Sequence, residues 1–188
     1  GGGGLARWSG SSWTIVGGGT DSWTTDLQVF NDGSGDALYV GGNFGQAGGQ
    51  AIARIAKWNG VQWSAVGTGS PSVSVDALAV YDDGSGPAVY AGGAFNSIGG
   101  VPVEAVARYR NGSWSALHGN GFDAPVFALK HHDDGNGERL YAGGLMKLAG
   151  QTPLTGVARY DGGLWNAVGS ALTTIPGASP QIPAVFAM

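Results

Sequence analysis

Residues 75–117 read VDALAVYDDGSGPAVYAGGAFNSIGGVPVEAVARYRNGSWSAL. Apolar, β-prone runs alternate with turn residues in this stretch, and we predict four strands there, at 75–81, 87–95, 103–109 and 114–117. Asp and Gly at 82–86 tolerate the backbone angles of a tight turn, a glycine-rich connection passes through Gly99-Gly100, and Asn111-Gly112 supplies the last turn. The stretch therefore predicts a meander of four antiparallel strands.

The same pattern recurs along the chain with a period of about 51 residues. Its clearest marker is an aromatic residue followed five positions later by tryptophan, and the four copies are Trp8 and Trp13, Trp58 and Trp63, Tyr109 and Trp114, and Tyr160 and Trp165. A diglycine recurs in step, at Gly41-Gly42, Gly92-Gly93 and Gly143-Gly144. Repetition of this kind decides the architecture before local propensity does. We divide the chain into a partial hairpin (5–17), three repeats (18–67, 68–118, 119–169), and a connector with the first strand of a next repeat (170–188).

The paired aromatics are interpreted first as structural. Four residues separate the members of each pair, and a four-residue hairpin loop would place them opposite one another on one face of a sheet. The alternative is a carbohydrate-stacking site repeated in every unit. Because the pairs occur in all copies, we favour a role in the core.

Composition limits the classes of protein that remain. The chain has 188 residues, 43% of them hydrophobic, and its 37 glycines cluster in groups that suit short strands joined by tight turns. A net charge of −4 with only nine Lys and Arg argues against binding of nucleic acid. The absence of cysteine excludes disulfides and thiolate chemistry. No apolar run is long enough for a membrane-spanning helix.

Four strands in a repeat of about 51 residues favour a β-propeller blade over a solenoid coil, whose repeats are shorter. The diglycine at the end of the second strand, followed by an aromatic and a tryptophan as in Gly143-Gly144, Tyr160 and Trp165, resembles the Kelch repeat of galactose-oxidase-like propellers. The resemblance implies that these residues are structural and brings no catalytic residue with it. The copper site of galactose oxidase needs a cysteine, so the resemblance implies no oxidase activity here.

A partial hairpin, three repeats and one trailing strand are too few for an easily closed ring of four to eight blades. We therefore expect an all-β chain that is an incomplete ring or a segment of a larger propeller. The ring would be completed by missing chain or by another subunit. An open ring would also expose the aromatic faces of its terminal blades.

Binding residues are expected on the irregular loops of one rim, at 18–25, 68–74, 119–125 and 170–183. Trp23 and Phe122 have no aromatic counterpart in the other repeats, and each lies near an acid, Asp21 or Asp123. An aromatic ring beside a carboxylate can stack a sugar ring and accept its hydroxyl hydrogens. The alternative is that both rings cap the core beneath their loops.

Other polar groups are interpreted as structural. The Asp-Gly turns, such as Asp82 to Gly86, lack the alternating carboxylates of a calcium loop, so we assign no metal and no cofactor. A cation recurs once per unit and is expected to form a rim ion pair or to cover an aromatic ring, rather than to clamp a substrate; its four copies are Arg7, Lys57, Arg108 and Arg159. His131 and His132 are adjacent on one strand and therefore point to opposite faces, which argues against one shared metal.

The sequence thus favours a non-catalytic binding or structural scaffold module that recognises a protein or glycan partner through its irregular rim. Few lysines with many Gly, Ser, Thr, Asn and Trp residues indicate a secreted or cell-surface protein of bacteria. Two alternatives remain open. One is a carbohydrate-binding or polysaccharide-active propeller that uses Trp23 and Phe122, and the other is a surface or filament protein that assembles with further copies of itself.

Overall fold

The computed structural model describes residues 4–117 and 121–169, and this part of the chain is all-β, as predicted. It forms an N-terminal hairpin, three four-stranded antiparallel sheets and two very short hairpins, and no helix occurs within these two ranges. The predicted segment 170–183 and the predicted strand at Val185–Met188 lie outside the described residues.

The strands are numbered in chain order. The N-terminal hairpin consists of β1 (Ala6–Trp8) and β2 (Trp13–Ile15). Sheet I consists of β3 (Thr24–Asn31), β4 (Asp36–Gly42), β5 (Ile55–Trp58) and β6 (Trp63–Ala65). Sheet II begins with β7 (Val75–Asp82) and β8 (Pro87–Gly93), continues through the short hairpin of β9 (Ser97–Ile98) and β10 (Val101–Pro102), and ends with β11 (Val106–Arg110) and β12 (Ser113–Ser115). Sheet III begins with β13 (Val126–Asp133) and β14 (Glu138–Gly144), continues through β15 (Leu148–Ala149) and β16 (Thr152–Pro153), and ends with β17 (Val157–Tyr160) and β18 (Trp165–Ala167).

The predicted meander of residues 75–117 is confirmed, with corrected boundaries. Its second strand ends at Gly93, and its third begins at Val106 instead of 103. The third strand starts late because Ala105 has a φ of 62°, a left-handed conformation that interrupts extended backbone. The glycine-rich connection also contains the β9–β10 hairpin, which the sequence interpretation treated as a loop.

The aromatic pairs stand directly opposite one another across their hairpins. Trp58 pairs with Trp63, and their ring centroids are 5.3 Å apart. The other pairs have centroid distances from 5.0 to 5.4 Å and involve Trp8 and Trp13, Tyr109 and Trp114, and Tyr160 and Trp165. Such contacts add about 0.5–1.5 kcal/mol beyond the burial of apolar area. The pair in the N-terminal hairpin is exposed, because no further unit covers it in the described part of the chain.

The sheets lie face to face, and the core lies between them. Each of the three core clusters contains residues of two neighbouring units: hairpin and sheet I, sheets I and II, or sheets II and III. In sheets I and II the first glycine of the diglycine allows this close approach. A Cβ on Gly41 would lie 2.9 Å from Val75 Cγ1, and a Cβ on Gly92 would lie 2.7 Å from Val126 Cγ1. The diglycine strand therefore determines how near the next sheet can come.

Candidate functional site

The candidate site is the rim that carries the segments between sheets. In each of these segments one side-chain oxygen binds backbone amides of the connection between the second and third strands. Asp21 Oδ1 accepts hydrogen bonds from the amides of Gly45 and Gln46 at 2.8 and 2.9 Å. Asp123 Oδ1 accepts from Lys147 and Leu148, both at 2.9 Å. These bonds bring the two kinds of rim loop together, as the meander topology predicts.

The hydrogen bonds that Asp21 accepts give this residue a structural role. The amide of Gln46, and then that of Gly45, lower the pKa of Asp21 below its usual value. Ser72 performs the corresponding task in sheet II, where its hydroxyl accepts from the amides of Asn96 and Ser97. A side-chain oxygen at this position therefore holds two loops together in all three repeats. The sequence does not reveal this, because the position is serine in one repeat and aspartate in the other two.

Trp23 is the most exposed tryptophan in the described residues, at 79%. Its backbone is nevertheless fixed, because its carbonyl accepts a hydrogen bond from Asn43 at 2.9 Å. Ser74 and Pro125 occupy the corresponding positions, and their carbonyls accept from Ala94 and Leu145 in the same way. The ring of Trp23 thus projects from a repeated, rigid backbone site at which the other repeats have no aromatic side chain.

Phe122 is placed very differently. It is only 3% exposed, and its ring packs on Trp165 with a centroid distance of 4.7 Å. Its amide also donates to the carbonyl of Glu104. Of the two roles considered for this ring, the geometry matches a cap over the core, because a buried face offers no platform to a sugar. Phe122 and Trp23 also belong to different segments between sheets.

An open cleft of about 440 Å³ lies beside Phe122. It separates the 121–125 segment from the loop that follows β8, and Asp123, Asn96 and the exposed Glu104 line it. Glu104 was not singled out in the sequence, because it stands in a loop with no motif around it. The cleft contributes polar groups to the rim, while Trp23 contributes its largest exposed aromatic surface.

The turns on the opposite rim repeat the same set of hydrogen bonds in each sheet. The first turn residue accepts from two glycine amides, as Asp82 Oδ1 does from Gly84 and Gly86, both at 2.8 Å. The second turn residue, Asp83, uses one oxygen for Ser85 and the other for Tyr90 and Arg108. Sheets I and III repeat the second set through Asp32 with Tyr39 and Lys57, and through Asp134 with Tyr141 and Arg159.

These turns are therefore organised by the protein's own donors. The cation of each sheet forms the rim ion pair that the sequence suggested, with Lys57 Nζ 2.6 Å from Asp32 Oδ2 and Arg159 3.0 Å from Asp134. A calcium ion at such a turn would have to displace a bound Lys or Arg. The described residues contain no group of three or more His, Asp or Glu side chains placed to hold a metal.

The two histidines of β13 have separate surroundings. His131 Nδ1 lies 2.7 Å from Glu138 Oε2, and both side chains are exposed. His132 lies opposite Arg139 in the sheet register, at the position that Phe30 and Tyr81 occupy in the other sheets. It is exposed, whereas those two aromatics are buried. The pair does not converge on one point.

Fold and rim together define an all-β repeat protein built from stacked four-stranded antiparallel sheets. Comparisons with protein-family models, with curated proteins and with solved structures find no match to this chain. Within the described residues, no helix is long and apolar enough to cross a membrane.

Proposed function

We propose that this chain is a segment of a Kelch-type β-propeller that acts as a non-catalytic binding or scaffold module, with its irregular rim recognising a partner. Two features support the propeller arrangement. The first strands of the sheets lie next to one another, and β3 is joined to β7 by hydrogen bonds from Thr25 to the Val75 carbonyl and from the Leu78 amide to Asp26. In a propeller the first strand of every blade lies at the central axis, so the first strands of consecutive blades are neighbours there.

The observation that carries the binding proposal is the exposed ring of Trp23 on a fixed backbone. A rigid aromatic loses little conformational entropy on binding and provides a large apolar surface, which is why tryptophan is enriched among the residues that dominate interfaces. A protein partner would use this ring as an anchor and reach the polar cleft residues Glu104 and Asp123 at the edge of the contact.

The experiment is a binding screen of the full chain against an array of extracellular proteins and a glycan array, with Trp23→Ala in parallel. Val61→Ala is the matched control, because Val61 is 82% exposed but lies in a turn on the opposite rim. Binding to a protein that falls at least about tenfold in Trp23→Ala and not in Val61→Ala would support the proposal. Equal binding by all three proteins would contradict it. Circular dichroism and thermal melting establish that the variants remain folded.

The second candidate function is carbohydrate binding, and the pairing of Trp23 with the nearby carboxylate of Asp21 favours it. Asp21 Oδ1 is engaged by two amides, which leaves Oδ2 as the oxygen for a sugar hydroxyl. Glycan binding that disappears in Trp23→Ala would support this candidate over a protein partner.

The proposal also includes a secreted or cell-surface location in a bacterium, which fractionation of the source organism with an antibody against the chain would test.

Assembly from copies of the chain is the third candidate. Its support is the apolar surface at the N-terminal end, where Ile15 and Val29 are 58% and 65% exposed. Light scattering across a range of concentrations would detect such assembly. A single species of monomer mass would exclude it.

A further inference from the structure

The cleft beside Phe122 lies at a place that an arginine occupies between sheets I and II. Arg54 in sheet I and Ala105 in sheet II hold the same position of the repeat, one residue before the third strand. Both have a left-handed backbone, with φ of 67° and 62°. Their amides donate to the carbonyls of Phe44 and Phe95, each at 2.9 Å. Because the two backbones match, their side chains leave the chain in the same direction.

Arg54 shows what such a place can hold. Its Nη1 donates a hydrogen bond of 3.2 Å to the carbonyl of Pro71, in the segment between sheets I and II. One repeat later the residue that corresponds to Pro71 is Phe122, and no described group donates to its carbonyl. Because residue 105 is alanine, a cleft of about 440 Å³ lies where the guanidinium would be. This volume is within the usual range of ligand sites.

Two carboxylates of the cleft lack a partner. Glu104 is exposed and belongs to none of the four ion pairs of the described residues. The corresponding residues of the other repeats are Ala53 and Thr155, so an acid occurs here only beside the alanine. Asp123 binds backbone amides through Oδ1 alone, which leaves its Oδ2 available. The cleft therefore offers a cation charged acceptors that no other group engages.

The chain supplies no cation of its own to this cleft. All nine Lys and Arg residues lie within the described ranges, and none of them lines the cleft. Lys147 gives its backbone amide to Asp123, but its ammonium group forms no ion pair among the described residues. Both sheets beside the cleft have all four strands, so it is not a surface left by a missing strand. The cation therefore has to come from outside this sequence.

We propose that the cleft between sheets II and III binds the guanidinium of an arginine side chain from a protein partner. The Phe122 carbonyl accepts one guanidinium hydrogen, as its counterpart does one repeat earlier, and the Glu104 carboxylate accepts others. The methylene stem of the arginine lies along Ala124 and Pro125 in the wall of the cleft. This inference rests on the proposed recognition of a protein by the irregular rim, and it specifies the chemistry of that contact.

The test is an NMR titration of the full chain with a capped arginine, N-acetyl-L-arginine methylamide. We expect saturable shifts in the backbone amides of Glu104, Phe122 and Asp123. Capped citrulline has nearly the same shape without the charge and should cause no such shifts. Capped lysine should bind more weakly, because an ammonium group lacks the planar fork that matches a carboxylate. Free L-arginine, as a further probe, should bind no more tightly than the capped form.

Two variants should lower the affinity for different reasons. Glu104→Gln keeps the size of the side chain and removes its charge, so it should weaken binding about two- to fivefold, as expected for an exposed ion pair. Ala105→Arg restores the side chain that Arg54 has in sheet I, and it should abolish binding by filling the cleft. Thermal melting shows whether this variant folds. Glu138→Gln is the control, since it makes the same chemical change at an exposed residue of the opposite rim and should leave binding unchanged.

Several results would overturn the proposal. Capped arginine could cause no shift of these amides at its solubility limit, capped citrulline could bind equally well, or Glu104→Gln could bind as tightly as the wild type. Tighter binding of free L-arginine would assign the cleft to a small molecule instead. The screen with Trp23→Ala remains a separate test of the rim. A protein partner that depends on Trp23 but binds Ala105→Arg undiminished would contradict this inference alone.

Discussion

The hydroxyl of Tyr90 donates a hydrogen bond of 3.0 Å to Asp83 Oδ2, the same oxygen that binds Arg108. The tyrosine ring is fully buried, and the carboxylate is only 4% exposed. Corresponding bonds of 2.9 and 3.2 Å join Tyr39 to Asp32 and Tyr141 to Asp134. Each sheet thus ties its first turn to its second and third strands through one carboxylate.

Removal of this carboxylate should cost more in sheet II than in sheet III. Asp83→Ala leaves a buried tyrosine hydroxyl and a largely buried guanidinium without their partner, and we expect a loss of about 3 kcal/mol in the free energy of unfolding. Asp134 and Arg159 are 26% and 38% exposed, so solvent screens their ion pair and Asp134→Ala should cost clearly less. Urea denaturation measures both. Equal losses would show that burial does not determine the strength of these bonds.

Acid should destabilise the protein through the same carboxylates. Burial opposes ionisation of Asp32, but hydrogen bonds from Lys57, Ser34 and Tyr39 outweigh it, so the pKa of Asp32 lies well below its usual value. The pKa of Asp83 is also lowered, with burial again outweighed by its donors. A carboxyl whose pKa is lower in the folded state stabilises the fold above the unfolded pKa of about 3.9, and this contribution is lost as the pH falls towards the folded pKa.

We therefore expect the free energy of unfolding to change little between about pH 5 and pH 9 and to fall below about pH 4. Asp83→Asn removes one titrating group, so its curve should begin lower and fall less steeply with decreasing pH. Urea titrations at a series of pH values would check this. A wild-type curve that stays flat down to pH 2 would contradict the assigned pKa directions.

Gly92→Ala should loosen the contact between sheets II and III. The new methyl group would lie 2.7 Å from Val126 Cγ1 and 3.2 Å from Leu129 Cδ1, in a fully packed interior. We expect a loss of about 1–3 kcal/mol, partly recovered when Val126→Ala is added. Gly45→Ala is the control, because its nearest atom outside the adjacent residues is Asp21 Oδ2 at 3.4 Å. A Gly92→Ala protein as stable as the control would show that the sheets can separate without cost.

The consecutive glycines of the β9–β10 turn should respond unequally to alanine. Both have positive φ, 60° at Gly99 and 77° at Gly100. Gly100→Ala adds only backbone strain, about 1–2 kcal/mol, because no atom lies within 4 Å of the new Cβ. Gly99→Ala also places a methyl group 2.8 Å from both the Thr68 carbonyl and the Trp114 ring, so its cost should be clearly greater. Thermal unfolding of the two variants gives the order.

Much of the fold could be predicted from local chemistry. The spacing of Tyr109 and Trp114 fixes a hairpin loop, the Asp-Gly clusters fix the turns, and a period of 51 residues fixes how often the unit recurs. These features depend on residues that are near in sequence, so they can be predicted within each repeat separately. The late start of β11 was not predictable, because nothing in its sequence shows that Ala105 takes a left-handed conformation.

The candidate site was less accessible to prediction. Trp23 and Phe122 look equivalent as off-pattern aromatics beside an acid, yet one is 79% exposed and the other 3%. The difference arises because Trp165 of a distant strand lies beneath Phe122, and sequence spacing does not show this contact. Asp21 and Asp123 each bind backbone amides more than twenty residues further along the chain, and sequence spacing does not show these contacts either.

By itself the sequence determined the strand order, the turns, the facing aromatic pairs and the division between a regular and an irregular rim, because these follow from contacts within one hairpin. Within the part of the chain that the structure describes, only the tertiary contacts decided which surfaces are exposed: the ring of Trp23, the edge of β1 beside Arg7, and the side chain of Leu27. Whether a side chain is exposed depends on the unit packed beside it as much as on the residue itself. In a repeat protein the same side chain is core in one unit and surface in the next.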